Sequence, residues 1–409
     1  MDRTWDLSGL YSGFDDPQYG SDMKKLENSV NELSDAAAKI NGTPHADVVK
    51  RFIGINEDIE FTAGKLIQYA HLRYSANTKD IEAASAVGRL MGMFSKIASP
   101  SAIFSNTIAK YEDLDEIISR NSELEPYRFL LNKIQLNSKY MLSDKEEAVF
   151  AKMNISGASA WSDLQSNLTS GLAVELDGKS IPLSSARNLA YDKDPDVRRR
   201  AYEAELKAYE KIKDSVAFSL NSIKLQVLSE CELRGYESPL AKSLHNSEMK
   251  KETLDALLSA MEEYLPEFRR YLKAKSKALG HEGGLPWYDL FAPMGKQDKT
   301  YTVEDARDYL LSMFSKFDTE LHDMVKCAFD NGWIDFYPRE GKVGGAFDCG
   351  VPSAKQSRVL TNFGGAFGDI VTLAHELGHS FHDRQVFNNA LLNQDYSMPV
   401  AETASTFNE

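Results

Sequence analysis

Two histidines and a glutamate stand within five residues of one another near the end of the sequence: His375, Glu376 and His379. On an α-helix, side chains four residues apart lie one above the other, so both imidazoles can reach one metal ion. Glu376 lies beside that face, where it can reach a water molecule at the metal without binding the metal itself. The spacing therefore predicts a metal site on a helix. Two core histidines on an amphipathic helix are the alternative interpretation.

A zinc site of this kind needs a third protein ligand and keeps one position open for water. The acidic and histidine residues that follow are His382, Asp383, Asp395, Glu402 and Glu409. His382 and Asp383 share the first helix but lie too far along it to complete a tetrahedron. Glu402 follows Pro399, which suits a helix start, and the 22 residues between His379 and Glu402 allow a loop and a returning helix. Glu402 is the predicted third ligand, and a solvated helix carboxylate is the alternative.

Two further residues are predicted to support the ligands. Glu409 lies two helical turns after Glu402 on the same face, where it can accept a hydrogen bond from a ligand histidine. A frayed final residue without such a role is the alternative. His382 is assigned to a place behind the ligands or to packing.

Two imidazoles and one carboxylate are a ligand set that suits zinc and activates water for hydrolysis. The prediction is one Zn²⁺ per chain, held by His375, His379 and Glu402. Glu376 would act as the general base, taking a proton from water and delivering it to the leaving amine of a cleaved peptide bond.

The helix predicted to carry His375 and His379 is called the metal helix below. The residues before it are typical of a small antiparallel sheet over 344–363, with a turn near Pro352. An edge strand there could bind a peptide backbone by strand addition, and glycines would let the peptide come close. An ordinary hairpin packed under the site is the alternative. The residues predicted to bind peptide are Gly344, Gly345, Ala346 and Phe347.

Most of the remaining chain reads as helix, so the predicted fold class is mostly α. Helical stripes of apolar residues occupy 21–40, 194–233, 251–279 and 302–324, and they are predicted to be core. Asp194 and Pro195 suit the start of the second stretch, which is long enough to run between lobes. Asp177-Gly178 predicts a hairpin turn, and Asp369 is a candidate N-cap for the metal helix.

The length, charge and cysteine content limit which class of protein this chain can belong to. With 409 residues, two or three lobes are expected. The net charge of -14 disfavours nucleic acid and anionic lipid as partners, because both repel an acidic protein. Three widely spaced cysteines fit a reducing setting. The first twenty residues lack an apolar signal region, and no apolar run reaches 18 residues, so a cytoplasmic, non-membrane protein is expected.

The sequence resembles the thimet-oligopeptidase-like zinc peptidases, and within them the oligoendopeptidase F group. Residues 372–382 resemble that family's metal-helix signature, and residues 400–405 resemble its second signature. Weaker likenesses occur at residues 5–11, 69–76, 160–164, 234–240 and 287–293. The resemblance implies that Glu402 is the third zinc ligand, in agreement with the spacing argument.

The resemblance also implies an architecture and a substrate class. It implies a clam-like helical fold with an N-terminal lobe over 1–190, a catalytic lobe over 191–409, and a deep channel that admits short unfolded peptides. Family members continue well beyond the second signature, so the C-terminal part of the family fold is expected to be absent here. A C-terminal segment or a second chain would complement it. A chain that binds peptide and zinc with little or no activity is the alternative, and a helical scaffold with a vestigial site is a third.

Overall fold

A computed structural model describes residues 4–295 and 299–409 of the chain, and these residues are mainly helical. The helices are α1 (Pro17–Ala38), α2 (His45–Ala76), α3 (Ile81–Ile108), α4 (Leu114–Arg120), α5 (Arg128–Asn137), α6 (Asp144–Asn154), α7 (Ala160–Ser170), α8 (Leu183–Asn188), α9 (Pro195–Tyr209), α10 (Lys213–Arg234), α11 (Pro239–Asn246), α12 (Lys251–Ala278), α13 (Val303–Phe314), α14 (Thr319–Asp330), α15 (Phe367–Val386) and α16 (Met398–Asn408). The predicted mostly α fold class is confirmed.

Five short strands form two small sheets within the described residues. The strands are β1 (Ala173–Leu176), β2 (Lys179–Pro182), β3 (Ile334–Asp335), β4 (Phe347–Val351) and β5 (Gln356–Leu360). β1 and β2 form the predicted antiparallel hairpin, and both Asp177 and Gly178 in its turn have positive φ. The second sheet has the order β3-β5-β4. Its β4–β5 pair is antiparallel as predicted, whereas β3 adds a parallel strand that the sequence pattern did not reveal.

The three-stranded sheet lies between two hydrophobic cores. Leu360 of β5 packs into a core built mainly from α1, α2 and α3, and Val359 packs into a core shared by α13, α14 and α15. Successive strand residues point to opposite faces, so one short strand serves both cores. The sheet thereby fixes the metal helix α15 against the N-terminal helices. The lobe boundary at residue 190 stays a prediction.

Two predicted long helices are each broken in the structure, and those predictions are wrong. The stretch 194–233 forms α9 and α10, separated at Ile212, whose side chain is buried in a small core with Val174 and Leu183. The stretch 302–324 forms α13 and α14, separated at Asp318, which has extended backbone angles and caps α14. Ile212 and Leu321 lie in cores at these two breaks. Beyond Ile212 the predicted core stripe is wrong, because Leu220, Leu225 and Leu228 of α10 are each more than half exposed.

α12 was predicted to contribute its apolar stripe to a core, and the structure contradicts this. Met261 is 57% exposed and Phe268 is 62% exposed, and the buried residues of this 28-residue helix are Lys275 and Ser276. Its predicted extent and its end before Gly280 are confirmed.

Across the described ranges, the helices are too short or too polar to cross a bilayer. Cys231, Cys327 and Cys349 are all free thiols. The cytoplasmic location stays a prediction.

Candidate metal centre

The helix that carries the histidines begins with a one-sided cap, in which a first-turn carboxylate accepts from the backbone before it. Ala366 is the N-cap residue, and Asp369 lies three positions later, where its carboxylate accepts hydrogen bonds from the N–H groups of Ala366 (2.8 Å) and Gly364 (2.9 Å). Asp369 is thus in the first turn and not at the N-cap itself, which corrects its predicted position. A carboxylate there satisfies backbone donors that the first turn leaves unpaired.

α15 buries one face and presents the two histidines on another. Leu373 and Leu377 are fully buried in the core shared with α13 and α14. The rings of His375 and His379 have centroids 5.0 Å apart and planes at 84°. Their side chains keep 24% and 15% of their exposure, so solvent reaches the pair.

Glu402 of α16 meets both histidines. Its Oε2 lies 3.4 Å from Nε2 of His375 and 3.6 Å from Nε2 of His379. One ligand atom from each of the three residues lies within 4.8 Å of the others. Ligands bound to zinc at tetrahedral geometry lie about 3.3–3.5 Å from one another, so these residues fit a zinc ion with little adjustment.

A glycine between the histidines allows the ligand helix to approach. A Cβ at Gly378 would come within 2.7 Å of the Ala404 carbonyl oxygen and 2.9 Å of the Ser405 Cα. Both atoms are backbone, so α16 would have to move to accept a side chain. This role of Gly378 was not predicted, although its place inside the histidine spacing was a signal.

Ser405 holds the Glu402 carboxylate from behind. Its hydroxyl donates to Oε2 of Glu402 at 2.7 Å, and Ser405 is fully buried. Outer contacts of this kind orient metal ligands before the ion arrives. The role of Ser405 was not predicted either, because a position three residues after Glu402 has no meaning until α16 packs against α15.

The residues predicted to support the ligands lie close by. Glu409 Oε1 is 2.6 Å from Nδ1 of His375, a contact that leaves Nε2 of the ring facing Glu402. His382 packs its ring 4.5 Å from the ring of Tyr396, and its buried Nδ1 has no hydrogen-bond partner within the described residues. These placements are compatible with the predicted roles, which stay predictions.

The surroundings of the site raise the pKa of Glu376 and lower the pKa of the ligand candidate His379. Glu376 is 5% exposed, and burial raises its pKa to about 7, with the Glu402 carboxylate adding to the rise. His375 and a hydrogen bond from the Asp348 N–H act in the opposite direction. Burial lowers the pKa of His379, His375 lowers it further and Glu402 opposes both, so burial favours the neutral imidazole that binds metals. A carboxylate with a pKa near 7 suits proton transfer at neutral pH.

A cleft of about 1130 Å³ opens beside the metal helix. Its lining residues include Asp369 and Thr372 of α15, Arg198, Tyr202 and Glu205 of α9, and the segment Gly344, Gly345 and Ala346. Three of the four residues predicted to bind peptide therefore border the cleft. Phe347 is the exception, because it packs against Trp5 with ring centroids 6.2 Å apart, in the N-terminal core.

Comparison with known proteins gives a consistent family. The Peptidase family M3 model matches residues 188–409, more than half of the chain, and the Oligopeptidase F model matches residues 109–173. The chain is 26% identical over 416 residues to Oligopeptidase PepF of Bacillus subtilis, covering 99% of this chain and 61% of that protein. It is 25% identical over 420 residues to an Oligoendopeptidase F homolog of Lactococcus lactis, covering 99% and 68%.

Solved structures show the same fold. The oligoendopeptidase-F of Enterococcus faecium superimposes with a TM-score of 0.61 at 22% identity, covering 94% of this chain and 65% of that one. PZ peptidase A in complex with an inhibitor gives a TM-score of 0.74 at 14% identity, covering 94% and 67%. The chain thus spans less than two thirds of the Bacillus subtilis relative and about two thirds of these structures. Because the family model matches more than half of the chain, this chain belongs to peptidase family M3.

Proposed function

We propose that this chain is a zinc-dependent endopeptidase that hydrolyses internal peptide bonds of short, unfolded oligopeptides. The observation that carries the proposal is the convergence of His375, His379 and Glu402 beside the buried Glu376. Membership of peptidase family M3 and relatives named oligopeptidase and oligoendopeptidase support it.

The three converging residues would hold one Zn²⁺. Zinc, when bound, supplies a Lewis acid that lowers the pKa of water to about 7 and polarises a carbonyl group. Ser405 keeps the Glu402 carboxylate turned towards the histidines, and Glu409 holds the His375 ring. Glu376 takes a proton from the attacking water and gives it to the leaving amine nitrogen.

The substrate would lie along the segment that precedes β4. β4 is an edge strand, but two of its outward positions are already used: the Asp348 N–H faces Glu376, and the Gly350 carbonyl accepts from Gln68 Nε2 at 2.8 Å. Alternate residues of a strand point the same way, so Ala346 is the next outward position and it borders the cleft. A peptide in the cleft can add its backbone at Gly344–Ala346, which confines strand addition to that end.

Two variants test the assignment of base and ligand separately. We expect Glu376→Gln to keep one zinc per chain and to lose hydrolysis of an internally quenched oligopeptide, because it retains shape but cannot accept a proton. Glu402→Ala should lose zinc, measured by metal content after dialysis. Glu27→Gln, at an exposed position of α1, is the matched control and should change neither quantity. Full hydrolysis by the Glu376→Gln variant would show that another group is the base.

A second candidate is a chain that binds zinc and peptide but turns over slowly by itself. The apolar face of α12 favours it, since Leu257, Met261 and Phe268 are each more than half exposed. Large apolar side chains exposed together on one helix face are typical of an interaction site. The relatives are longer than this chain, so we propose that further polypeptide of the kind they carry, as a C-terminal segment or a second chain, covers α12.

Solution measurements distinguish the occupants of the α12 face. A monomer by light scattering, with fast hydrogen exchange along α12, is expected for the chain alone. Self-association that protects the α12 amides would contradict the proposal and make a second copy of this chain the occupant. Zinc binding at one ion per chain with no measurable cleavage would favour the second candidate function over the first.

A further inference from the structure

Two aspartates, a half-buried Asp348 and a buried Asp383, form a pair between the edge strand and the metal helix, outside the ligand set. Asp348 lies in β4, and Asp383 lies in α15, one turn beyond His379. Their side chains hydrogen-bond to each other. Asp348 Oδ1 also accepts from Ser380 Oγ at 2.5 Å, and Asp383 Oδ1 accepts from the Tyr396 hydroxyl.

This pair must share a proton. An ionised carboxylate only accepts hydrogen bonds, so two carboxyl groups bonded to each other require one to be protonated. Burial and the neighbouring Asp383 charge raise the pKa of Asp348 well above its usual range, which agrees with a shared proton. Ser380 donates to Asp348 and Tyr396 donates to Asp383, so whichever carboxylate is ionised has one hydroxyl donor for its charge.

The close approach of Asp383 to the strand depends on a glycine. A Cβ at Gly350 would lie 2.2 Å from Asp383 Oδ2 and 3.3 Å from the Phe387 ring. Gly350 therefore lets the Asp383 carboxyl reach β4, two residues from Asp348. Ser380 and Asp383 of α15 thus bind one face of this strand at two neighbouring points.

The same strand residue also contacts the proposed base. The backbone N–H of Asp348 hydrogen-bonds to the Glu376 carboxylate, which lies one turn before Ser380 on α15. The peptide plane that carries this N–H is rigid, and the Asp348 side chain anchors it to α15. Movement of the anchored side chain would turn the N–H away from Glu376.

We propose that Asp348 is a positioning residue: its side chain, paired with Asp383 and Ser380, fixes the β4 N–H that orients the Glu376 carboxylate. The inference rests on the proposed function for the role of Glu376, whereas the contacts themselves do not. It assigns a purpose to the acidic pair that neither metal binding nor the base explains.

Substitutions at Asp348 separate positioning from packing. In Asp348→Asn the amide can accept from Ser380 and donate to the Asp383 carboxylate, so kcat should stay within about 3-fold of the parent chain. In Asp348→Ala both bonds are lost, and kcat should fall roughly 10–100-fold, the usual effect of removing an outer contact of a metal site. KM and zinc content should not change. Asp58→Ala is the matched control, since its side chain is 67% exposed.

Hydrogen exchange provides a readout that does not need peptidase activity. Exchange at the Asp348 amide should accelerate in Asp348→Ala and also in Glu376→Ala, which removes the acceptor, while Asp348→Asn should keep the parent protection. Unchanged protection in both alanine variants would overturn the positioning role even if the chain hydrolyses peptides. Faster exchange in a chain without activity would support the positioning role and count against the proposed function alone.

Discussion

From the contact between α15 and α16 we predict that Gly378→Ala lowers both stability and zinc affinity. The added Cβ would lie 2.7 Å from the Ala404 carbonyl oxygen, about 0.7 Å below the 3.4 Å at which ordinary contacts begin. Because both close atoms belong to the α16 backbone, relief requires the helix to shift by a similar distance. Overpacking of this kind costs about 1–3 kcal/mol of stability.

The shift would move Glu402 away from the histidines. Its Oε2 already lies at 3.4 and 3.6 Å from their Nε2 atoms, near the separation that a bound zinc requires. We expect zinc affinity to fall roughly 10–100-fold, comparable to the loss of an outer contact. Competition with a chromogenic chelator measures this affinity, and urea denaturation of the metal-free protein measures the stability.

A second glycine of the same helix is the matched control. A Cβ at Gly368 would lie 3.6 Å from the Tyr191 ring, an ordinary contact distance, so Gly368→Ala should leave zinc affinity unchanged. A Gly378→Ala variant that binds zinc as tightly as the parent chain would refute the reasoning. It would mean that α16 adapts without moving its carboxylate.

Three further outcomes are expected. Glu409→Ala removes the 2.6 Å partner of His375 Nδ1, so zinc affinity should drop about 10-fold; an unchanged value in a chelator competition would deny this contact a role. The Asp348–Asp383 pair holds one more proton in the folded protein than in the unfolded chain above about pH 4, because their pKa values are raised. The unfolding free energy of the metal-free protein should therefore fall as the pH rises above about 4, by up to about 1.4 kcal/mol per unit until the pair ionises, and Asp348→Asn should flatten this dependence in urea titrations. Leu373→Ala empties a fully buried site under the metal helix and should cost about 2–5 kcal/mol, measured by the shift of the urea midpoint.

Local patterns sufficed for the elements around the candidate metal site. The spacing of His375 and His379 is a property of one helix, so it could be interpreted without knowing any partner. The β1–β2 hairpin followed from the Asp177-Gly178 turn, and the β4–β5 pair from a strand-turn-strand pattern. The extent of α12 followed from its periodicity and from the glycine beyond its end.

Such patterns did not predict where the longer helices break. Breaks at Ile212 and Asp318 depend on where an apolar side chain finds a core, and periodicity along the chain does not contain that information. The same holds for the exposed stripe of α12, which is apolar in sequence but has no packing partner within the described part of the chain. An apolar stripe predicts that a packing partner covers it, but it does not identify that partner.

The sequence by itself determined the chemistry on one helix: two imidazoles and a carboxylate, at a spacing set by 3.6 residues per turn. Only the tertiary structure decided how other segments meet that helix. Gly378 became a contact point once α16 docked against it, and Ser405 became a support for Glu402 only then. Asp348 and Asp383 are 35 positions apart and acquire a shared proton because folding encloses them together, a property that depends on distance in space and not on distance along the chain.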